Sequence, residues 1–294
     1  MPRHADAFHV FYRIPADREI PMSEGRPCFW QRLSKTQERY DFVLMPQQAV
    51  ETDFKLVCIA DPQVQKDTDL ARFKEESVPD IRAHVSTLEG PVYGITLGDI
   101  IFNEKAKDVT NQMMPPIALA MRESEIGLKL FQVMGNHDND PYFAGDFAAE
   151  AAYRKALGPT YYSFDVGEVH YVMLDNTVYI NTGGTEGSMG KRNYHSYVTD
   201  EQLAWLRDDL AALRDKSQPV VVGMHCPAMN NYNAAFENRE SFNPAGKTQE
   251  LFDCFEGFSD VHFLTGHTHY NANMERGAIF EHNVAAVCET WWWA

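Results

Sequence analysis

Cysteine is scarce in this chain: five in 294 residues, at Cys28, Cys58, Cys226, Cys254 and Cys288. No two form a C-x-x-C pair. The odd count and wide spacing argue against a disulfide framework and a zinc ribbon. Cys58 lies inside an apolar run and reads as a small core residue; Cys226, although beside His225, also reads as packing. Positive charge is in short supply too, with 26 Lys and Arg against 42 Asp and Glu and a formal net charge of −16. An acidic surface repels polyanions, so neither nucleic acid nor an anionic membrane is the expected partner. No apolar run is long enough to span a bilayer as a helix, no apolar signal segment follows Met1, and no internal repeat is visible. The glycine-rich stretch 183–190 lacks the Lys-Ser/Thr ending of a nucleotide P-loop and reads as a surface loop.

What the chain does have is a repeated arrangement: a short apolar run that ends in Asp, Asn or His. Residues 54–60 lead to Asp61-Pro62-Gln63, and 93–97 to Gly98-Asp99. Residues 130–134 lead to Gly135-Asn136-His137-Asp138, 220–224 to His225, and 261–265 to Gly266-His267-Thr268-His269. Short β-branched runs of this length read as buried strands. In open α/β sheets ligands gather at the carboxyl ends of the strands. Five strand ends carrying oxygen and imidazole donors predict one shared metal site.

Asp61, Gln63, Asp99, Asn136, His225, His267 and His269 are too many ligands for a single four-coordinate zinc. They suit two divalent ions that share a bridging carboxylate, about 3.5–4 Å apart, able to clamp a phosphoryl group and activate a water. The absence of thiolate favours Mn, Fe, Zn or Mg. On an extended segment His267 and His269 would point to one face.

Along the chain, residues 1–50, broken by Pro15, Pro21, Pro27 and Pro46, read as the remnant of a small β-rich domain and a linker. Residues 51–285 read as the catalytic domain and 286–294 as the start of a C-terminal extension; both ends read as cut, which leaves an exported or periplasmic location open beside a cytoplasmic one. Residues 70–88 have helical spacing that Pro79 should break or kink. Residues 118–121 and 148–157 also read as helical. The clearest helix covers 199–214, with a Thr199/Gln202 capping box and a Leu203, Leu206, Leu210, Leu213 stripe. Residues 161–174 read as a hairpin turning at Gly167-Glu168.

The ordered set Asp61-x-Gln63, Gly98-Asp99, Gly135-Asn136-His137-Asp138, His225 and Gly266-His267-x-His269 resembles the calcineurin-like metallophosphoesterases. The resemblance implies a four-layer αββα sandwich with two mixed β-sheets. It implies Asp61, Gln63, Asp99 and His269 around one ion, and Asp99, Asn136, His225 and His267 around the other. It implies a metal-bound hydroxide attacking phosphorus, His137 as the acid that protonates the leaving oxygen, and Asp138 as its orienter. A histidine beside a carboxylate is held in one tautomer and made more basic, which fits that role. Gln63 stands where the family commonly has histidine. Its amide oxygen is a harder, weaker ligand, so weaker occupancy and a preference for manganese or magnesium over zinc are expected there. The Asp-Pro-Gln form, the β-like leading segment and the ending Glu289-Thr290-Trp291-Trp292 resemble multidomain bacterial members with flanking N- and C-terminal domains.

The substrate expected is a phosphorylated small molecule or glycan. A phosphodiesterase rather than a monoesterase, and a metal-binding scaffold with little or no catalysis, stand as alternatives. Tyr194 and His195, behind Lys191 and Arg192, are candidates to touch substrate phosphate, and Asn230, Asn231 and Asn233 are candidates for a pocket rim. His4, His9, His84, His262 and His282 read as surface or packing residues, His170 as a core residue, and the three tryptophans as packing.

Overall fold

The computed structural model describes residues 9–102, 109–229 and 247–288. Its strands are β1 (His9–Phe11), β2 (Met22–Ser23), β3 (Arg26–Pro27), β4 (Trp30–Arg32), β5 (Lys55–Ile59), β6 (Val92–Leu97), β7 (Lys129–Val133), β8 (Tyr162–Val166), β9 (Val169–Met173), β10 (Thr177–Tyr179), β11 (Tyr194–Ser196), β12 (Val220–Gly223), β13 (Val261–Thr265), β14 (Ala272–Arg276) and β15 (Ile279–Asn283). Its helices are α1 (Asp67–Arg72), α2 (Val78–Val85), α3 (Val109–Ala120), α4 (Glu123–Ile126), α5 (Asp146–Ala149), α6 (Ala151–Ala156), α7 (Asp200–Ala211) and α8 (Lys247–Asp253).

Two sheets carry the architecture. One is β5-β6-β7, parallel throughout. The other is mixed, ordered β14-β15-β13-β12-β9-β8, with β9, β12, β13 and β15 parallel and the outer pairs antiparallel. Strand side chains alternate between faces, and the packing follows that period. Val57 and Ile59 of β5 meet the helical layer of α1 to α4, while Leu56 and Cys58 face the other sheet. In β12, Val220 and Val222 face α7 and α8, while Val221 faces inward. The result is helix, sheet, sheet, helix: the αββα sandwich.

Aromatic rings fill the space between the sheets. Phe131 of β7 stacks on Phe164 of β8 at 3.7 Å between centroids, and Phe164 on Tyr171 of β9 at 4.9 Å. Burying each ring contributes about 2–3 kcal/mol. Ile14 and Phe29, from the proline-broken leading segment, are fully buried in this same layer.

Pro79 leaves its mark where expected. It sits in the first turn of α2, and Phe73–Ser77, which end two positions before it, form a π-helical turn closed by Val78 N–H donating to Phe73 O. Proline lacks an N–H and crowds the carbonyl four residues back, so the ladder widens by one residue instead of breaking. Thr199 caps α7, its hydroxyl accepting from Gln202 N. The capping box is only half formed. The Gln202 side chain turns to the backbone of Asp175, accepting from its N–H at 3.1 Å and donating to its O at 2.8 Å. That ties α7 to the end of β9. The hairpin predicted over 161–174 is β8–β9.

His170 is a core residue. It is fully buried between Asp165 Oδ1 at 2.7 Å and Asp209 Oδ2 at 2.9 Å, with Arg13 3.5 Å from Asp165. Burial pulls its pKa down, but the hydrogen bonds to Asp165 and Asp209 outweigh that and hold it above the ordinary value. A raised folded pKa contributes stability that is complete below the unfolded value near 6.5 and is lost as pH rises through the folded value. The melting-temperature gap between the protein and His170→Gln should therefore narrow from pH 6 to pH 9 in scanning calorimetry. A gap that stays constant would remove the imidazolium from the account.

Candidate active site

All seven expected ligands stand on the turns after β5, β6, β7, β12 and β13, at the carboxyl edge of both sheets. Five of them have left-handed backbone: Asp61 (φ 50°), Gln63 (45°), Asp99 (50°), His267 (68°) and His269 (62°). Non-glycine residues rarely adopt this region, and each costs about 1–2 kcal/mol. Such strain persists where surrounding structure enforces it, and it gathers at functional sites. Left-handed turns bend the chain sharply off each strand, so side chains from separate strands aim at one point. His267 and His269 converge in this way and not, as the spacing suggested, as two residues of an extended segment.

Asp99 is the centre. Its Oδ1 accepts from His137 N at 2.8 Å, and its Oδ2 lies 3.1 Å from Gln63 Nε2 and 3.2 Å from His225 Nε2. His225 Nδ1 donates to Leu97 O at 2.7 Å, which leaves Nε2 facing the site. Asn136 Oδ1 and His267 Nδ1 each stand 3.1 Å from that same Nε2. Asp61 Oδ2 accepts from His267 N at 2.9 Å, while its Oδ1, 3.5 Å from His269 Nε2, is buried without a hydrogen bond. These contacts link all seven residues into one cluster.

The electrostatics of the cluster are those of a site built for cations. Burial pushes the Asp99 carboxyl up, but His225 and then His137 more than offset it and hold it well below the carboxylate range. Burial pulls His225 down, and Asp99 reverses that to hold it well above the ordinary value. Burial and the His225 charge lower His267 to about 3. His225 Nε2, Asp99 Oδ2, Asn136 Oδ1 and His267 Nδ1 all face one volume. A proton on Nε2 can serve only one of the other three. Together with the orphaned Asp61 Oδ1, this donor set fits divalent ions bound through nitrogen and oxygen.

Asp138 behaves differently from the expectation. Its carboxylate accepts from Gly135 N at 2.8 Å and Ile101 N at 3.0 Å. It therefore fastens the Asn136–Asp138 turn to the end of β6, and its two described bonds are to backbone amides and not to the His137 ring. Burial, then the Asp99 charge, raises it to about 8. His137 lies at the mouth, its ring 4.1 Å from that of Phe102 and its Nε2 4.0 Å from Asp99 Oδ2.

Other expectations divide. Tyr194 is at the site, its hydroxyl 3.4 Å from His267 Nε2, while His195 is exposed. Cys226 is buried beside His225 and His267, and burial raises its thiol, so it remains protonated. His262 and His282, read as isolated, pair with each other at 2.9 Å on neighbouring strands away from the site. All five cysteines are free thiols. His4, Asn230, Asn231, Asn233 and the tryptophans 291–293 lie outside the described residues.

Asn176 was not legible in the sequence. Its Nδ2 donates to Cys226 O at 2.7 Å and its Oδ1 accepts from Cys226 N at 3.1 Å, bracing the turn that carries His225. Its only signal was its place just after the apolar run of β9.

The profile of the Calcineurin-like phosphoesterase family matches residues 54–271. Purple acid phosphatase 23 of Arabidopsis thaliana is 28% identical over 153 residues, covering 49% of this chain and 29% of that protein. The chain thus spans under a third of that relative's length. Among solved structures, the phosphopantetheinyl hydrolase of Mycobacterium tuberculosis superposes with a TM-score of 0.48 at 14% identity, covering 82% of this chain and 92% of that one. The purple acid phosphatase PPD1 of yellow lupin gives 0.47 at 13% identity, with 78% and 43% covered.

Proposed function

This chain belongs to the calcineurin-like phosphoesterase family, and we propose that it is a metal-dependent phosphoester hydrolase that works through a dinuclear centre on phosphorylated small molecules or glycans. Asp61, Gln63, Asp99 and His269 would hold one ion, and Asp99, Asn136, His225 and His267 the other. The observation that carries this reading is the convergence of four potential ligand atoms on one volume, with Asp99 in the middle. When bound, the ions supply a Lewis-acid clamp on the phosphoryl oxygens and a nucleophilic water.

The chain's own groups do the rest. His225 is kept in one orientation by Leu97 O, so its Nε2 stays aimed inward. Asp138 holds the turn that presents Asn136 and His137. His137 carries a proton to the leaving oxygen. Burial lowers its pKa against the pull of Asp99, which makes its protonated form a stronger acid. Gln63 is expected to favour manganese or magnesium over zinc. In the present geometry its amide turns Nε2 toward Asp99 and Oε1 toward the Cys288 thiol at 3.8 Å.

Elemental analysis paired with a panel of phosphomonoesters, diesters and pyrophosphates tests the reading. Hydrolysis of part of the panel is expected with two metal equivalents. In the same experiment His137→Ala should retain metal yet lose about 10²–10⁴-fold in turnover, and Gln63→His should bind zinc more tightly. A metal-loaded protein that hydrolyses nothing in the panel would sink the proposal.

A further inference from the structure

We propose that Tyr194 is the positioning residue of His267: its hydroxyl oxygen accepts the Nε2 proton of that ring and so reserves Nδ1 for a divalent ion. The proposal rests on the reading of His267 as a metal ligand.

A neutral imidazole has one nitrogen that donates and one that keeps its lone pair, and the partner of the first decides which is which. Ligand histidines accordingly hold their outer nitrogen against an oxygen acceptor. His225 does this through the sheet: its Nδ1 donates to Leu97 O at 2.7 Å, and its Nε2 faces the site. The His267 ring crosses that of His225 edge to face, 4.9 Å apart at 73°, with its Nδ1 3.1 Å from the same Nε2. Its own Nε2 lies on the far side of the ring, and there the Tyr194 hydroxyl stands 3.4 Å from it. The backbone of His267 is fixed separately, its N–H donating to Asp61 Oδ2 at 2.9 Å. That bond does not choose the ring orientation. A half-turn about Cβ–Cγ would put a carbon where Nδ1 faces the site. The bond to Tyr194, at the opposite edge, selects orientation and tautomer together.

The fold holds Tyr194 in place for this. It sits on β11 in register with Tyr179 of β10, whose N–H donates to Asp146 Oδ1 at 2.6 Å. The buried Asn181 locks the same hairpin. Its Nδ2 donates to Pro141 O at 2.7 Å and Phe143 O at 2.9 Å, and its Oδ1 accepts from Arg192 N at 2.9 Å. The hairpin is thus fastened to the segment that directly follows His137 and Asp138. From there the tyrosine ring meets the His267 ring edge to face, at 6.3 Å and 86°. Tyr194 is half-buried, and among the described residues its hydroxyl bonds to nothing else. A phenol oxygen suits the task because it is neutral. It accepts the ring proton without the negative charge that would hold a second proton on the imidazole.

Tyr194→Phe is the variant of choice, because it removes the oxygen and keeps the ring. The metal-free wild type, Tyr194→Phe and His267→Ala are titrated with zinc by calorimetry, zinc being well matched to imidazole ligands. The wild type should show two binding events and His267→Ala should lose one, which identifies the event that His267 serves. In Tyr194→Phe that event should weaken roughly 10–100-fold and the other by under about 3-fold. A second readout is independent of affinity. In the zinc-loaded wild type, a nitrogen-edited proton spectrum should show a slowly exchanging Nε2–H of His267, and Tyr194→Phe should lose it. Unchanged affinity, persistence of that signal in Tyr194→Phe, or equal weakening of both events, the mark of a packing role for the hairpin, each overturns the proposal. If His267→Ala loses no event, the reading of His267 as a ligand fails, and the assignment of Tyr194 falls with it.

Discussion

Asp99→Ala is expected to remove both metal ions and to lower turnover by about 10³-fold or more, a loss of ~4 kcal/mol in transition-state stabilisation. Three donors point at the Asp99 carboxylate: His137 N at 2.8 Å, Gln63 Nε2 at 3.1 Å and His225 Nε2 at 3.2 Å. The group is almost wholly buried at 1% exposure, so water cannot take its place. Leaving each donor unsatisfied costs about 1–3 kcal/mol. Two effects therefore add: loss of the bridging ligand and loss of the anchor that orders the turn bearing Asn136 and His137. Asp61→Ala is the control, because the hydrogen bond and ion pair of the Asp61 carboxylate are to His267 and His269. Elemental analysis should find about two equivalents in the wild type, about one in Asp61→Ala and none in Asp99→Ala. One full equivalent retained in Asp99→Ala would show that Asp99 does not bridge.

Gly135→Ala should be nearly as damaging through sterics alone. A Cβ at position 135 would fall on the backbone N and the Oδ1 of Asp99, with Asp99 Cα only 3.0 Å away. Gly135 has φ −113°, which any residue adopts, so the requirement is space and not conformation. The obstruction is mostly backbone and cannot rotate aside. Overpacking of this kind costs about 3 kcal/mol or more, or roughly 6–12 °C in melting temperature for a domain of this size. Metal content should fall with it, because the atoms that must move belong to the central ligand. The turns after β6 and β7 pack backbone against backbone here, and that close approach lets Asp99 and Asn136 reach the same volume. A Gly135→Ala protein that melts with the wild type and holds its metal would refute the close approach.

Much of the site was readable because strand ends leave a local trace. An apolar run of five or six residues followed by Asp, Asn or His marks a buried strand and the turn beyond it, and both depend on neighbours in sequence. The seven residues that converge there, the hairpin and the α7 cap were therefore accessible. An irregularity at Pro79 was accessible too, from the chemistry of a missing N–H, although its form, a π-helical turn and not a break, was not.

What each polar group bonds was decided elsewhere. Asp138 reads as a partner for its neighbour His137, but its bonds go to Gly135 N and to Ile101 N, 37 positions away. Gln202 reads as the second half of a capping box, but Asp175 claims it. His262 and His282 look isolated in sequence and are paired by the register of β13 and β15. Asn176 and Asn181 carry no motif and gain their roles from loops that meet only in the folded protein. The sequence by itself determined the strands, their order of polar endings and the donor chemistry, because these follow from hydrophobic periodicity and side-chain type. Only the tertiary structure decided the left-handed turns that aim the candidate ligands inward and the two carboxylates that flank His170. Those depend on which distant surfaces are packed together, and burial makes every polar group take whichever partner that packing supplies.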